Sequence, residues 1–133
     1  MNPKIIKIDT DEAPKAIGPY SQAVMVEPFM FVSGQIAIDP ITGKIIDYTI
    51  QGQTKCVLNN IEAILKAAGL NFEAIVKTEV YLKNWDDFQE MNNIYTDRFS
   101  HSIKPARQTM QVVRLPLDAL IEISCIAFKQ NRD

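Results

Sequence analysis

Two charged residues stand where their neighbours make charge costly. Glu122 lies inside LIEISCIAF, a run otherwise almost wholly apolar. An unpaired carboxylate in such a setting is pushed toward its neutral form, whereas a nearby guanidinium would hold it ionised. Glu122 is therefore either an acid or base tuned by burial, or a structural ion-pair partner or a carboxylate at the rim of an interface. Arg107 follows Pro105-Ala106 into a β-prone run, with Thr109 and Gln111 on its own face by the two-residue period. A guanidinium fork held by a strand suits a planar carboxylate, because two parallel hydrogen bonds fix both position and orientation. Such charge-assisted bonds contribute ~1.5 to 3 kcal/mol each, enough to select carboxylates over neutral analogues. The plainer alternative is that Arg107 pairs with Glu122 and does nothing more.

Other chemistries recede. His101 is the single histidine of the chain, in a polar loop beside Ser100, and is expected to face solvent. Cys56 and Cys125 form no CxxC pair and are expected to be small buried hydrophobes. No metal site of recognisable spacing and no cofactor motif is present, and Ser33-Gly34 lacks the surroundings of a nucleophile elbow. The net charge is −2 and the 14 Lys and Arg residues are scattered, so a nucleic-acid partner is not expected. The opening MNPKIIKIDTDEAP carries charges and prolines where a secretory signal needs an apolar stretch, and no run of ~18 apolar residues follows. No membrane association is expected, and a reducing cytoplasm is the default compartment.

The elements that must hold Arg107 and Glu122 fit one domain over residues 1–133, a length that buries roughly two thirds of its unfolded surface yet leaves little room for a deep private pocket. Ile5, Ile6 and Ile8 read as a short strand. Ala23 to Val26 and Phe29 to Ser33 form a hairpin around Glu27-Pro28, with Gly34 ending the second strand. From Ile50 to Ala68 apolar residues recur at three- and four-residue steps, the pattern of an amphipathic helix capped by Thr49 and ended by Gly69. Val76, Thr78, Val80 and Leu82 alternate with polar residues in a strand. A second helix opens at Asn84 with Phe88, Met91, Tyr95 and Phe99 as its apolar stripe, and strands follow over Arg107 to Val113 and Ala119 to Phe128. Two helices cover only one face of such a sheet, while the last strand is apolar on both. The uncovered face therefore points to another copy of the chain, the alternative being that the last strand is simply central in a self-sufficient sheet.

Read with their neighbours, these residues resemble the RidA (YjgF) family of reactive-intermediate deaminases over nearly the whole chain. The likeness is carried by AIGPYSQA from Ala16 to Ala23, VSGQIAIDPITG from Val32 to Gly43, VKTEVYLKNWDDFQEMN from Val76 to Asn92, and then PAR, VRLP and IEI in order. It implies a chorismate-mutase-like α+β fold: a mixed, mainly antiparallel sheet of about six strands with two helices on one face. It also implies a homotrimer with a barrel-like core and sites in the clefts between subunits. The implied reaction is cofactor-independent hydrolysis of 2-imino and 2-enamino acids, such as 2-iminobutyrate and 2-aminoacrylate, to 2-keto acids and ammonia.

Matched position by position, the resemblance gives Arg107 the substrate carboxylate and Glu122 the attacking water. Tyr20, Ser33, Gly34 and Asn92 match pocket positions, and Phe88 matches an apolar contact across the subunit boundary. The chain departs from the pattern at Thr109, where the family often has Cys, and at Gln108 and Val113. Thr109 still offers a hydroxyl and backbone groups to a ligand. Two other functions stay open: a module that binds or senses a small carboxylate without turning it over, and the endoribonuclease or translation-inhibitor activity long associated with the family.

Overall fold

A computed structural model describes residues 4–101 and 103–130. The elements run β1 (Ile6–Ile8), β2 (Ala23–Val26), β3 (Phe29–Gln35), α1 (Ile50–Ala67), β4 (Ile75–Leu82), α2 (Phe88–Arg98), β5 (Ala106–Gln111) and β6 (Ile121–Phe128). The six strands form one sheet in the order β1-β2-β3-β6-β4-β5. All neighbours are antiparallel except β4 and β5, which are parallel because α2 carries the chain back between them. This is the mixed α+β sheet that the sequence predicts, with both helices on one face.

The covered face is a finished core. Ile121, Ile123, Cys125 and Ala127 of β6 are buried together with Met30 and Val32 of β3, Val80 and Leu82 of β4, and Val57, Ile61, Ile64 and Leu65 of α1. Fully burying a side chain of this kind stabilises the fold by about 1.5–3 kcal/mol, so these alternate positions suffice to fix which way the sheet faces. The intervening β6 residues Glu122, Ser124 and Ile126 are half-buried and Phe128 is exposed. With Phe29 and Phe31 of β3, exposed at 43% and 44%, they leave the second face uncovered within one chain.

Element ends follow local chemistry. Thr49 caps α1, its side chain accepting from the Gly52 N–H, and Gly69 takes φ +75 just beyond the helix, as expected. The second helix differs. Asn84 caps a 3-10 turn, Trp85–Asp87, and the α-helix begins only at Phe88, because the Asn84 side chain accepts from Asp86 N–H and tightens that first turn. Gly34 does not end β3, which continues to Gln35 through a register shift that sets Ser33 and Gly34 opposite Ser124 alone. Such a bulge bends the strand and re-aims its side chains. A second shift between Ile75 and Lys77 turns Val76 outward, leaving it 44% exposed where alternation alone places it in the core. β5 ends at Gln111 and β6 starts at Ile121, with a 3-10 turn over Pro116–Asp118 between them.

Candidate functional site

Strand register decides where the two anomalous charges point. On β5, Arg107, Thr109 and Gln111 pair with Thr78, Val80 and Leu82, the buried residues of β4, so all three lie on the helix side of the sheet. On β6, Glu122 pairs with Tyr81, on the open side. Arg107 and Glu122 therefore occupy opposite faces, with β4 between their strands. The expectation that one pairs with the other fails within a single chain, and among the described residues neither takes part in an ion pair.

Arg107 is held by α2. Its Nη1 donates to Asn92 Oδ1 at 2.7 Å, and the guanidinium carbon lies 4.8 Å from the Tyr95 ring centroid and 5.7 Å from that of Phe88. Tyr95 is itself fixed from below by a 2.7 Å hydrogen bond between its hydroxyl and that of Thr78. Burial pushes the Tyr95 hydroxyl's pKa up, so it stays a neutral platform. Phe88 stacks on Trp85 at 5.0 Å. These contacts leave the rest of an exposed guanidinium facing a shallow pocket of about 380 Å³ lined by Asn92, Tyr95, Thr96, Phe99, Lys104, Pro105 and Arg107. That environment suits an anion: an exposed guanidinium fork held in place on an aromatic support. Thr109, two residues along the same face, keeps its Oγ1 buried without a partner among the described residues.

Glu122 lies in a separate cleft of about 360 Å³, whose lining includes Tyr20, Gly34, Gln35 and Leu117. Gly34 is required here by close approach: a Cβ at that position would sit 2.5 Å from Glu122 Oε2. Burial raises the pKa of the Glu122 carboxyl, bringing it toward the range in which a carboxyl can exchange protons with a substrate. Tyr20 is exposed, and its hydroxyl accepts a long hydrogen bond from Ile17 N–H, which shapes the loop that borders the cleft. Ser33 turns away from the cleft lining and donates to the Ser21 carbonyl at 2.6 Å.

Tyr20, Gly34 and Glu122 thus come together, as do Phe88, Asn92 and Arg107, in two separate half-sites. Three supports lay outside the sequence reading. Gln22, fully buried, accepts from Thr10 N–H and donates to the carbonyls of Thr10 and Pro14, tying the loop beside Tyr20 to the sheet. Its signal was a polar residue directly before a strand that packs into the core. Tyr95 was read only as core, and Leu117 stands at the Glu122 cleft with no sequence mark beyond the preceding proline. His101 and Cys56 depart from expectation. His101 is half-buried with its Nε2 shielded and without a partner among the described residues, beside the Phe99 ring at 6.0 Å. Cys56 is half-buried because its thiol turns toward the Ile38 carbonyl at a loop. Burial raises the Cys125 thiol to about 12 and also raises that of Cys56, so neither is an activated nucleophile. Among the described residues no group of His, Cys, Asp and Glu has metal-binding geometry, and no helix is long and apolar enough to cross a membrane.

Comparison with known proteins places this geometry. The family model described as endoribonuclease L-PSP matches residues 10–129. A RutC family protein of Pyrococcus horikoshii is 52% identical, over 92% of this chain and 97% of its own length. The 2-iminobutanoate/2-iminopropanoate deaminase of Mus musculus is 44% identical over 90% of this chain and 88% of its own. A crystal structure of a Rid family protein from Yersinia pestis superposes with a TM-score of 0.92 at 44% identity, covering 94% of this chain and 99% of the other.

Proposed function

The chain belongs to the endoribonuclease L-PSP family, which takes in the RutC and Rid proteins, and from that membership we propose that it hydrolyses 2-imino acids to 2-keto acids and ammonia. A mouse relative named as a 2-iminobutanoate/2-iminopropanoate deaminase supports the reaction class. The observation that carries the reading is the pair of half-sites: an oriented guanidinium and a carboxylate, neither neutralised by its own chain among the described residues and each on a different face of the sheet. Two copies can do what one cannot. In a closed homo-oligomer, here a trimer, the Arg107 pocket of one protomer meets the Glu122 cleft of the next, and the uncovered sheet faces pack together.

In that joint site Arg107 binds the substrate carboxylate, with Asn92 and Phe88 holding the guanidinium and Thr109 beside it. Glu122 takes a proton from water as the oxygen bonds to C2, and that proton passes to the imine nitrogen, giving a carbinolamine. The hydroxyl proton then moves to the nitrogen, the C–N bond breaks, the C=O bond forms and ammonia leaves. Tyr20 and Gly34 shape the carboxylate's surroundings, and Ser33 holds the bulge on which Gly34 rides. Acid-base assistance of this kind supplies roughly 10² to 10⁴ in rate, which suffices for an imine that already reacts with water, and prior positioning adds to it.

Subunit mixing tests both the reaction and its shared site. Arg107→Ala and Glu122→Gln are each expected to lose turnover of 2-iminobutyrate generated in situ. Co-assembled one to one, they are expected to regain it in about a quarter of the sites, because each contributing chain is intact half the time. Keto-acid formation at the wild-type rate by Arg107→Ala alone rules the reading out. An RNA-cleaving role, suggested by the family's description, has less support: the lone His101 is shielded and offers no paired acid and base.

A further inference from the structure

The cleft beside Glu122 is larger than the proposed chemistry needs. Hydrolysis involves only the carboxylate, C2 and nitrogen of the substrate, yet the cleft measures about 360 Å³ and, beside the polar Lys15, Gln22 and Gln35, carries an aliphatic stretch of wall from Ile17, Ile36, Ile38, Pro116 and Leu117. Ile36 and Ile38 are half-buried against a small core cluster of Ile45, Leu115 and Ala119, so that part of the wall is rigid. Ile17 and Leu117 differ. They stand at the cleft 87% and 63% exposed, apolar surface that the chain's own core leaves uncovered.

Leu117 is also held there against its backbone preference. Its φ of 55° and ψ of 25° lie in the left-handed region, which disfavours a side chain with a Cβ, and Asp118 after it shares φ 55°. The neighbouring contacts impose this conformation. Asp118 binds Lys83 Nζ at 2.7 Å, and Ala119 N–H donates to the Pro116 carbonyl, closing the turn between β5 and β6. A glycine would adopt this backbone without cost, yet the position holds a leucine whose side chain, 63% exposed, lines the Glu122 cleft.

We propose that Leu117, with Ile17 in the same cleft, is a specificity-determining residue that receives the side chain of the 2-imino acid, so that the protein favours imines with larger aliphatic side chains over 2-iminopropanoate. This rests on the reading of the Glu122 cleft as the site of hydrolysis. The polar half of the substrate is met by Glu122 on one side and an oncoming guanidinium on the other, which leaves the aliphatic wall for the only apolar part of the molecule.

The experiment compares kcat/KM for the imines of leucine and alanine, each generated in situ, in the wild type and in Leu117→Gly and Leu117→Asn. Both replacements tolerate the left-handed backbone, so the turn is kept, and Asn places a polar group where the aliphatic one stood. The wild type is expected to prefer the leucine-derived imine. Both variants are expected to lose that preference by about tenfold, the lower end of what a hydrophobic pocket discriminates, kcat/KM falling further for the leucine-derived imine than for the alanine-derived one. Equal losses on both substrates, or an unchanged ratio, overturn the assignment of Leu117 while leaving the deaminase reading intact. No turnover of either imine by the wild type overturns the deaminase reading and this inference with it.

Discussion

The Arg107 pocket and the Glu122 cleft differ in how far a single chain completes them. Around Arg107 every support is present: Asn92 accepts one guanidinium hydrogen bond, Tyr95 and Phe88 lie against it, and Thr78 fixes Tyr95. Glu122 has shape without electrostatic compensation. Gly34 makes room for it, the bulge in β3 aims that glycine, and burial disfavours its charge, with no ion-pair partner among the described residues. On the proposed reading, one half-site binds and the other transfers protons, with a second copy supplying the guanidinium that faces Glu122. On that reading, a small chain with little interior makes a partly dry reactive cleft by sharing it between copies.

Exchanging the two charges tests that division most severely. Glu122→Gln is expected to lower turnover by roughly 10² to 10⁴ while keeping affinity for a 2-keto acid, whereas Arg107→Ala loses that affinity, both read by calorimetry beside kinetics. Glu122→Gln also has a stability signature. Since burial raises the folded-state pKa above its ordinary 4.5, the unfolded chain releases its proton first as pH rises, and stability falls through that range. The cost is absent below the ordinary carboxylate range and persists above the raised value. In the isolated protomer the Gln variant is therefore expected to melt higher than the parent at neutral pH and with it at pH well below 4.5. A second copy's guanidinium would pull the pKa back, so the neutral-pH gap is expected to shrink on assembly.

Gly34→Ala comes next. The added methyl, 2.5 Å from Glu122 Oε2, meets the movable end of a side chain, so the fold is expected to survive and the carboxylate to shift. A displacement of about 1 Å at a reacting group costs up to roughly 10² in rate. Near-parental melting with such a loss is the expected result, and unchanged kinetics would separate Glu122 from the chemistry.

Much of this arrangement is legible in the sequence, and the limit is instructive. Alternation along 78–82 and 121–128 shows which residues share a face, and the three- and four-residue steps of 50–67 show which stripe of α1 is buried. Parity along each strand does not reveal the register between strands, so nothing in the sequence says that Arg107 pairs with Thr78 while Glu122 pairs with Tyr81 on the opposite face. The two bulges, at Ser33-Gly34 and after Ile75, each break the two-residue period by one step. They send Val76 outward and Gly34 toward Glu122, against a strict alternation. The family resemblance implies pocket positions at Gly34 and Asn92; the close approach of one to Glu122 and the hydrogen bond of the other to Arg107 are legible only in the structure.

Asn92→Ala tests the preorganised half more gently. It removes one hydrogen bond to an exposed guanidinium, where solvent replaces part of what is lost, so keto-acid affinity is expected to weaken by about tenfold rather than vanish. KM is expected to rise with kcat nearly unchanged. A fall in kcat alone would place Asn92 on the side of the chemistry.

Thr109 gives the smallest and most discriminating effect. Its hydroxyl lies on the same face as Arg107, shielded and without a partner among the described residues, and a stranded polar group of this kind costs about 1–3 kcal/mol. Thr109→Val removes that cost. The variant is expected to melt a few degrees higher, at roughly 4 °C per kcal/mol for a chain of this size. If the hydroxyl waits for a ligand, the same change weakens keto-acid binding a few-fold, because the bond that would satisfy it is lost as well. Higher stability with unchanged affinity would mean that the hydroxyl is only a local defect in packing, and that Arg107 alone defines the binding half. Thr109→Cys separates the two contributions: a thiol is a weak donor that tolerates burial, so it is expected to recover most of the stability while regaining only part of the affinity.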